Sequence, residues 1–352
     1  MIGPSDFDQG VWMAEPALRD KGASPKSRPG PNGEPRQSGA NEKDGPQPKV
    51  VILTIFHMGT SSIDRATVEK IRTELRQLDA ADRNNTILDV WLESPGGDGD
   101  CAYKIGLMLR HVAGRIRVVV PDYAKSAATL LSLVADEIFM APGAELGPLD
   151  AQIGYEQEGI TISALDRTRS IDDLVRTAMQ IAIGGGAQVL QATQLSRSES
   201  LGAMLDFAAK FLQPVVAKLD PTMLHWSNTL LRVAVEYGRR LMLTREGCTS
   251  DIASSVPRQL MEDYPTHGFV ISIDQAMELG LPVRPLSEYE YADEVEDLYS
   301  ATLQRQVNLI RVIPTPKAAG SSVSSESGDE TKSGAERKHE VAPGHREANG
   351  GG

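Results

Sequence analysis

Apolar residues along this chain keep two rhythms. Short continuous runs of aliphatic and β-branched residues alternate with longer stretches in which apolar positions recur every three or four residues. KVVILTIF (49–56), TILDVWLESPGG (86–97), RIRVVV (115–120) and EIFMAP (137–142) are of the first kind and read as buried strands. Residues 61–83, with Ile63, Val68, Ile71, Leu75 and Leu78 on one face, read as a helix. So do residues 100–114, with Ala102, Ile105, Leu109 and Val112. Strand and helix in turn predict α/β layers around a largely parallel sheet with right-handed crossovers.

A second part is mainly helical. Amphipathic helices are expected over 170–185, 199–219 and 222–243. Pro214 should kink or break the second, whereas Pro221 suits the first turn of the third. Residues 266–283 suggest a short strand and then a helix with Asp274 near its start and Gly280 at its end. Residues 291–315 read as a C-terminal helix and extension.

Composition sets the outer limits. Residues 1–49 hold eight Pro and seven Gly, and residues 316–352 are Ser, Gly, Glu and Lys with almost nothing apolar. Neither stretch can bury enough surface to offset its ordering entropy, so both are expected to be disordered tails. The folded part is then about 50–290 with the 291–315 extension. No run approaches the ~18 apolar residues of a membrane span, and the N-terminus lacks the basic and apolar regions of a signal peptide. A formal net charge of −12 argues against nucleic acid as a partner. Two cysteines, Cys101 and Cys248, make no disulfide framework, and six histidines show no metal-binding spacing. The expectation is a reduced, cytoplasmic protein without metal or cofactor. The triple glycine at 184–186 has no following GK[ST] and is not a phosphate loop.

Candidate chemistry gathers at two turns. In DYAKSAATLLSLVADEI (122–138), Ser126 stands between a buried strand and an apolar helix, flanked by Ala124, Ala127 and Ala128. Ser126 is either the cap of that helix or a nucleophile at its positive end. ESPGGD (93–98) ends the preceding strand. Its Gly96 and Gly97 offer amides that no side chain shields. Both turns lie at the C-terminal ends of consecutive strands, where α/β sites gather. Amides of Gly97 and Ala127 there could hold the oxyanion of a tetrahedral intermediate. An isolated Pro-Gly-Gly is equally an ordinary tight turn.

These residues resemble the Clp-peptidase/crotonase superfamily, and within it the serine dehydrogenase proteinase family related to signal peptide peptidase A. The resemblance is carried by ESPGGD (93–98), by VVVPDYAKSAATLLSLVADEIFMAPGAELGPLDAQIG (118–154) and by THGFVISIDQAMELGLPV (266–283). It implies a spiral of ββα units with a helical C-terminal part. It further implies serine peptidase chemistry with Ser126 as nucleophile and Gly96, Gly97 and Ala127 at the oxyanion hole. A peptide or protein substrate, a homo-oligomer and no cofactor are expected, and a membrane-anchored partner is left open.

The general base departs from the pattern. Clp peptidases place a His about 25 residues after the serine, where this chain has Leu149 and Asp150. Signal peptide peptidase A uses a downstream Lys, but no Lys stands between Lys125 and Lys210, and that window holds Arg167, Arg169 and Arg176. Arginine stays protonated and is no base. His267, Lys210, Lys218 and Lys125 remain as candidates, with Asp150 able to orient a base or merely to turn its loop. Asp98 and Asp100 read as carboxylates of a helix start. Two functions follow: a serine endopeptidase, or a peptidase fold that has lost its base and serves as a scaffold or peptide-binding oligomer. An acyl-CoA enzyme of the crotonase kind is the weaker third.

Overall fold

The first four strands of the main sheet are the apolar runs that the sequence marks. In the computed structural model, which describes residues 48–155 and 160–316, the elements begin with β1 (Lys49–Phe56), α1 (Arg65–Leu75), β2 (Thr86–Glu93) and α2 (Gly99–Val112). β3 (Arg115–Val120), β4 (Tyr123–Ala124), α3 (Ala127–Ser132), β5 (Glu137–Met140), β6 (Glu145–Leu146), β7 (Gln152–Tyr155) and β8 (Ile160–Ser163) follow. The helical part is α4 (Ala164–Ala192), α5 (Arg197–Val216), α6 (Pro221–Met242), α7 (Ser250–Glu262) and α8 (Ile273–Glu278). β9 (Val283–Pro285), α9 (Ala292–Arg305) and β10 (Leu309–Ile313) close the order. The tails expected over 1–49 and 316–352 lie, but for residues 48, 49 and 316, outside the described residues.

Six strands form the main sheet in the order β10-β1-β2-β3-β5-β9. All neighbours are parallel except β10, which runs antiparallel along β1. The fold is therefore α/β with a largely parallel sheet. Buried on both faces, as parallel strands are, β1 and β2 fill the interior with Ile52, Leu53, Ile55, Phe56, Leu88 and Leu92.

After β1, β2, β3 and β5 the chain drops into a second, smaller layer. Ile63 bridges Gly97, Ser94 bridges Ala124, β4 pairs with β6, and Leu146 bridges Ile271. Main strand, short second-layer strand and helix then repeat, which is the ββα spiral. The repeat brings the Pro-Gly-Gly turn after β2 beside the serine turn after β4.

Four expectations change. The helix expected over 61–83 starts only at Arg65, because the Asp64 carboxylate caps the Thr67 N–H, and it ends at Leu75. A separate 3-10 turn over Ala80–Asn85 then starts on Asp79. Pro214 does not break α5; it sits in the last turn, so little helix lies beyond it to be disturbed. The short strand expected at the start of 266–283 is a single bridge at Ile271. Residues 309–313, read only as extension, form the edge strand β10.

Candidate active site

Ser126 is not a cap. It precedes α3 with φ 49° and ψ −115°, and its side chain makes no capping hydrogen bond. A serine in that region is strained, and strain persists only where surrounding contacts impose it. Here they are specific. Thr129 Oγ1 donates to the Ala124 carbonyl at 2.6 Å and accepts the Gly147 N–H at 2.9 Å. Lys125 Nζ reaches Glu145 at 2.8 Å and donates to the Phe269 carbonyl at 3.1 Å. Lys125 is thereby held in another ion pair, next to the serine in sequence.

The glycine turn packs directly on that serine. Gly96 (φ +109°) and Gly97 (φ +132°) both occupy backbone conformations that side chains avoid. A Cβ on Gly96 would stand 2.8 Å from the Ser126 Cβ, and one on Gly97 would stand 2.3 Å from the Ile63 carbonyl oxygen. The Ser94 N–H donates to the Tyr123 carbonyl and the Lys125 N–H to the Ser94 carbonyl, each at 3.0 Å, stitching the two turns together. The Gly96 N–H donates to Ser94 Oγ at 3.2 Å. Among the described residues the N–H groups of Gly97 and Ala127 have no such partner.

A cleft of about 410 Å³ opens over this junction. Ser126, Gly97, Ala127, Asp150 and His267 all line it. His267 Nδ1 lies 4.0 Å from Asp150 Oδ2. Asp150 is buried and its other oxygen accepts the Leu165 N–H at 3.1 Å. Burial pushes the Asp150 carboxyl above its ordinary range, against the Ser163 and Leu165 hydrogen bonds and the nearby imidazole, which lower it. Arg169 takes the carbonyl oxygens of Glu262 and, at 3.1 Å, Tyr264, so it tethers the loop that carries His267.

The remaining candidates lie elsewhere. Lys210 is exposed on α5, paired with Asp206 at 2.7 Å, and Lys218 is exposed just beyond that helix. Neither lines the cleft. Asp98 caps α2, accepting the Cys101 N–H at 3.0 Å, and Asp100 sits in its first turn. One wall of the cleft, Leu230, Val233, Ala234 and Tyr237 of α6, was not foreseen. Its i, i+3, i+4, i+7 spacing marks a helix face, but nothing in the spacing says what that face meets. A larger depression of about 920 Å³ runs along α6 among His225, Arg232, Glu236, Arg258 and Glu262, and contains neither the serine nor the glycine turn.

Residues 54–192 match the ClpP-like SDH-type serine proteinase family. The resemblance expected from the glycine and serine turns is shown, and both turns fall inside the matched segment. Two uncharacterized proteins of Methanocaldococcus jannaschii are similar to this chain. One is 35% identical over 123 residues, covering 32% of this chain and 42% of the relative. The other is 32% identical over 103 residues, covering 26% and 35%. The chain thus spans less than half the length of these curated relatives. Two solved variants of the 1510-N membrane-bound stomatin-specific protease, one in complex with a substrate peptide, align at 18% identity with a TM-score of 0.29. They cover 68% and 72% of this chain and 98% and 99% of their own. Among the described residues no helix is long and apolar enough to cross a membrane.

Proposed function

We propose that this chain is a serine endopeptidase in which Ser126 is the nucleophile and His267, oriented by Asp150, is the general base. The observation that carries the reading is the strained Ser126, its hydroxyl free of any cap, beside the unengaged amides of Gly97 and Ala127. A hydroxyl needs an adjacent base because its alkoxide is negligibly populated at neutral pH. His267 is the histidine of the cleft, and its Nδ1 side faces Asp150, which leaves Nε2 for the serine. The 4.0 Å separation from Asp150 exceeds a hydrogen bond, and such contacts tighten when substrate fills a site.

In the proposed reaction Ser126 Oγ attacks the scissile carbonyl carbon while its proton passes to His267. The Gly97 and Ala127 N–H groups hold the resulting oxyanion. The C–N bond then breaks, and the leaving amine takes the proton from His267. Water, activated by the same imidazole, hydrolyses the ester on Ser126 and restores the hydroxyl. The substrate is an extended peptide in the cleft beside residues 93–98. Free, unpaired Cys101 and Cys248 are in keeping with a reducing, cytoplasmic setting.

Labelling by a fluorophosphonate probe tests this reading. Wild-type protein should label, Ser126→Ala should not, and His267→Ala should label at least about 10²-fold more slowly. Asp150→Asn should slow labelling less, and Lys210→Ala should leave it unchanged. A wild-type chain that neither labels nor cleaves peptide, yet binds it, overturns the enzyme reading in favour of a binding scaffold.

A further inference from the structure

His267 and Ser126 stand on distant parts of the chain, and one side chain reaches from the serine turn to the histidine's loop. That loop runs between α7 and α8. Arg169 holds its entry by the Glu262 and Tyr264 carbonyls, and at its exit Ile271 exchanges two backbone hydrogen bonds with Leu146. Between these points the Phe269 N–H turns back on the Thr266 carbonyl at 3.1 Å. The Phe269 carbonyl, two residues beyond His267, accepts from Lys125 Nζ at 3.1 Å.

Lys125 makes that contact from a fixed base. Its N–H donates to the Ser94 carbonyl at 3.0 Å, and its carbonyl accepts the Ala128 N–H at 2.8 Å. Its stem passes over Gly147, where a Cβ would stand 2.7 Å from the lysine Cδ, so even alanine there would crowd it. Glu145 Oε1, at 2.8 Å, aims the ammonium. The two side chains are only 16% and 23% exposed, so solvent screens the pair weakly. An ammonium offers three donors and no acceptor. In this arrangement Lys125 links two segments and takes no proton from the serine.

We propose that Lys125 is a positioning residue that locks the His267 loop to the Ser126 turn, a role that rests on Ser126 and His267 being nucleophile and base. Lys125 does not line the cleft, so it acts through the loop and not on substrate. A base must stay within hydrogen-bond reach of the hydroxyl it serves. A displacement of about 1 Å can cost on the order of 10²-fold in rate. The tie to Phe269 sets that distance from the nucleophile's own turn. Arg169 cannot do so, because it anchors the loop to α4, away from the serine turn.

Fluorophosphonate labelling of the full chain in a double-mutant cycle tests the role. Lys125→Met should label roughly 10-fold more slowly than wild type, and Lys125→Arg, which keeps the donors, should restore most of the rate. In a His267→Ala background Lys125→Met should cause no further loss, since a residue that acts only through the imidazole then has nothing to position. Hydrogen exchange supplies a readout that needs no activity. Amides over 264–270 should exchange faster in Lys125→Met while those of β1 and β2 stay protected, which also shows that the variant is folded. Equal losses in the two backgrounds would overturn the proposal and make Lys125 a prop of the serine turn alone. Unchanged exchange over 264–270 would overturn it whatever the labelling shows. A wild-type chain that does not label, with faster exchange in Lys125→Met, would instead overturn the catalytic pair and leave the tie between the two segments standing.

Discussion

The main sheet and the α4–α5 arm are both rich in aliphatic residues, yet they bury opposite kinds. In the sheet the large side chains go inside: Ile52, Leu53, Ile55 and Phe56 are wholly buried. In the arm the buried residues beyond Leu165 are small (Ala178, Ala182, Gly186, Ser200 and Ala208), with Met204 and Leu212 only partly buried against them, while Ile183 and Phe211 remain more than half exposed. Full burial of such a side chain contributes roughly 1.5–3 kcal/mol, so the sheet realises that free energy within one chain and the arm does not. Apolar content alone therefore does not say what is covered. Side-chain size at the seam does.

Substitution in the sheet should have the largest effect on stability. Leu53→Ala removes a fully buried side chain of β1, which lies between parallel β2 and antiparallel β10, and should cost about 2–5 kcal/mol. Denaturant unfolding would show this as a lower midpoint. A loss below that of an arm substitution would break the contrast.

The second effect is electrostatic and belongs to the same interior. Glu93, at the end of β2, is buried and accepts the Tyr123 N–H at 2.9 Å. Burial and the neighbouring Asp122 push its carboxyl up to about 8, against hydrogen bonds from Tyr123 and Tyr299 that lower it. The folded chain therefore keeps a proton that the unfolded chain releases above about 4.5. Stability from this group is fully present below that pH and is lost as pH rises to about 8, by up to about 1.4 kcal/mol per pH unit. Glu93→Gln keeps an acceptor for Tyr123 and should flatten this slope. An identical pH dependence of the unfolding midpoint in the variant would exclude Glu93 as its source.

The smallest effect is expected in the arm. Phe211→Ala should change stability by no more than about 0.5 kcal/mol, as at an ordinary surface position. A cost comparable to that of Leu53→Ala would mean that the arm's large side chains are covered within the single chain.

The main strands were legible because a strand buried on both faces must be apolar throughout, and few other structures ask for that. β1 and β3 have the bounds that KVVILTIF and RIRVVV suggest. The glycine and serine turns were legible for a similar reason, since close backbone approach restricts the residue types allowed. β10 was missed: LIRVI is an edge strand at the end of a charged stretch, and only its antiparallel partner β1 gives it order. The choice among the candidate bases was not readable either, with His267 only one of them. His267 lies 141 residues from Ser126 in sequence, and only the folding of the 262–267 loop onto the cleft, with Arg169 holding its carbonyls, brings the two to one cavity.

The sequence by itself determined the local conformations: buried strands from continuous apolar runs, helix starts at Asp98 and Pro221, and turns that tolerate glycine at positive φ. These follow from short-range sterics and from hydrogen bonds a few residues apart. Tertiary structure alone decided which residues share the cleft and that the hydroxyl of Ser126 is left free of its helix. It also decided that the arm turns its large side chains outward. Each of these depends on contacts between segments far apart in the chain, where neither local geometry nor periodicity carries information.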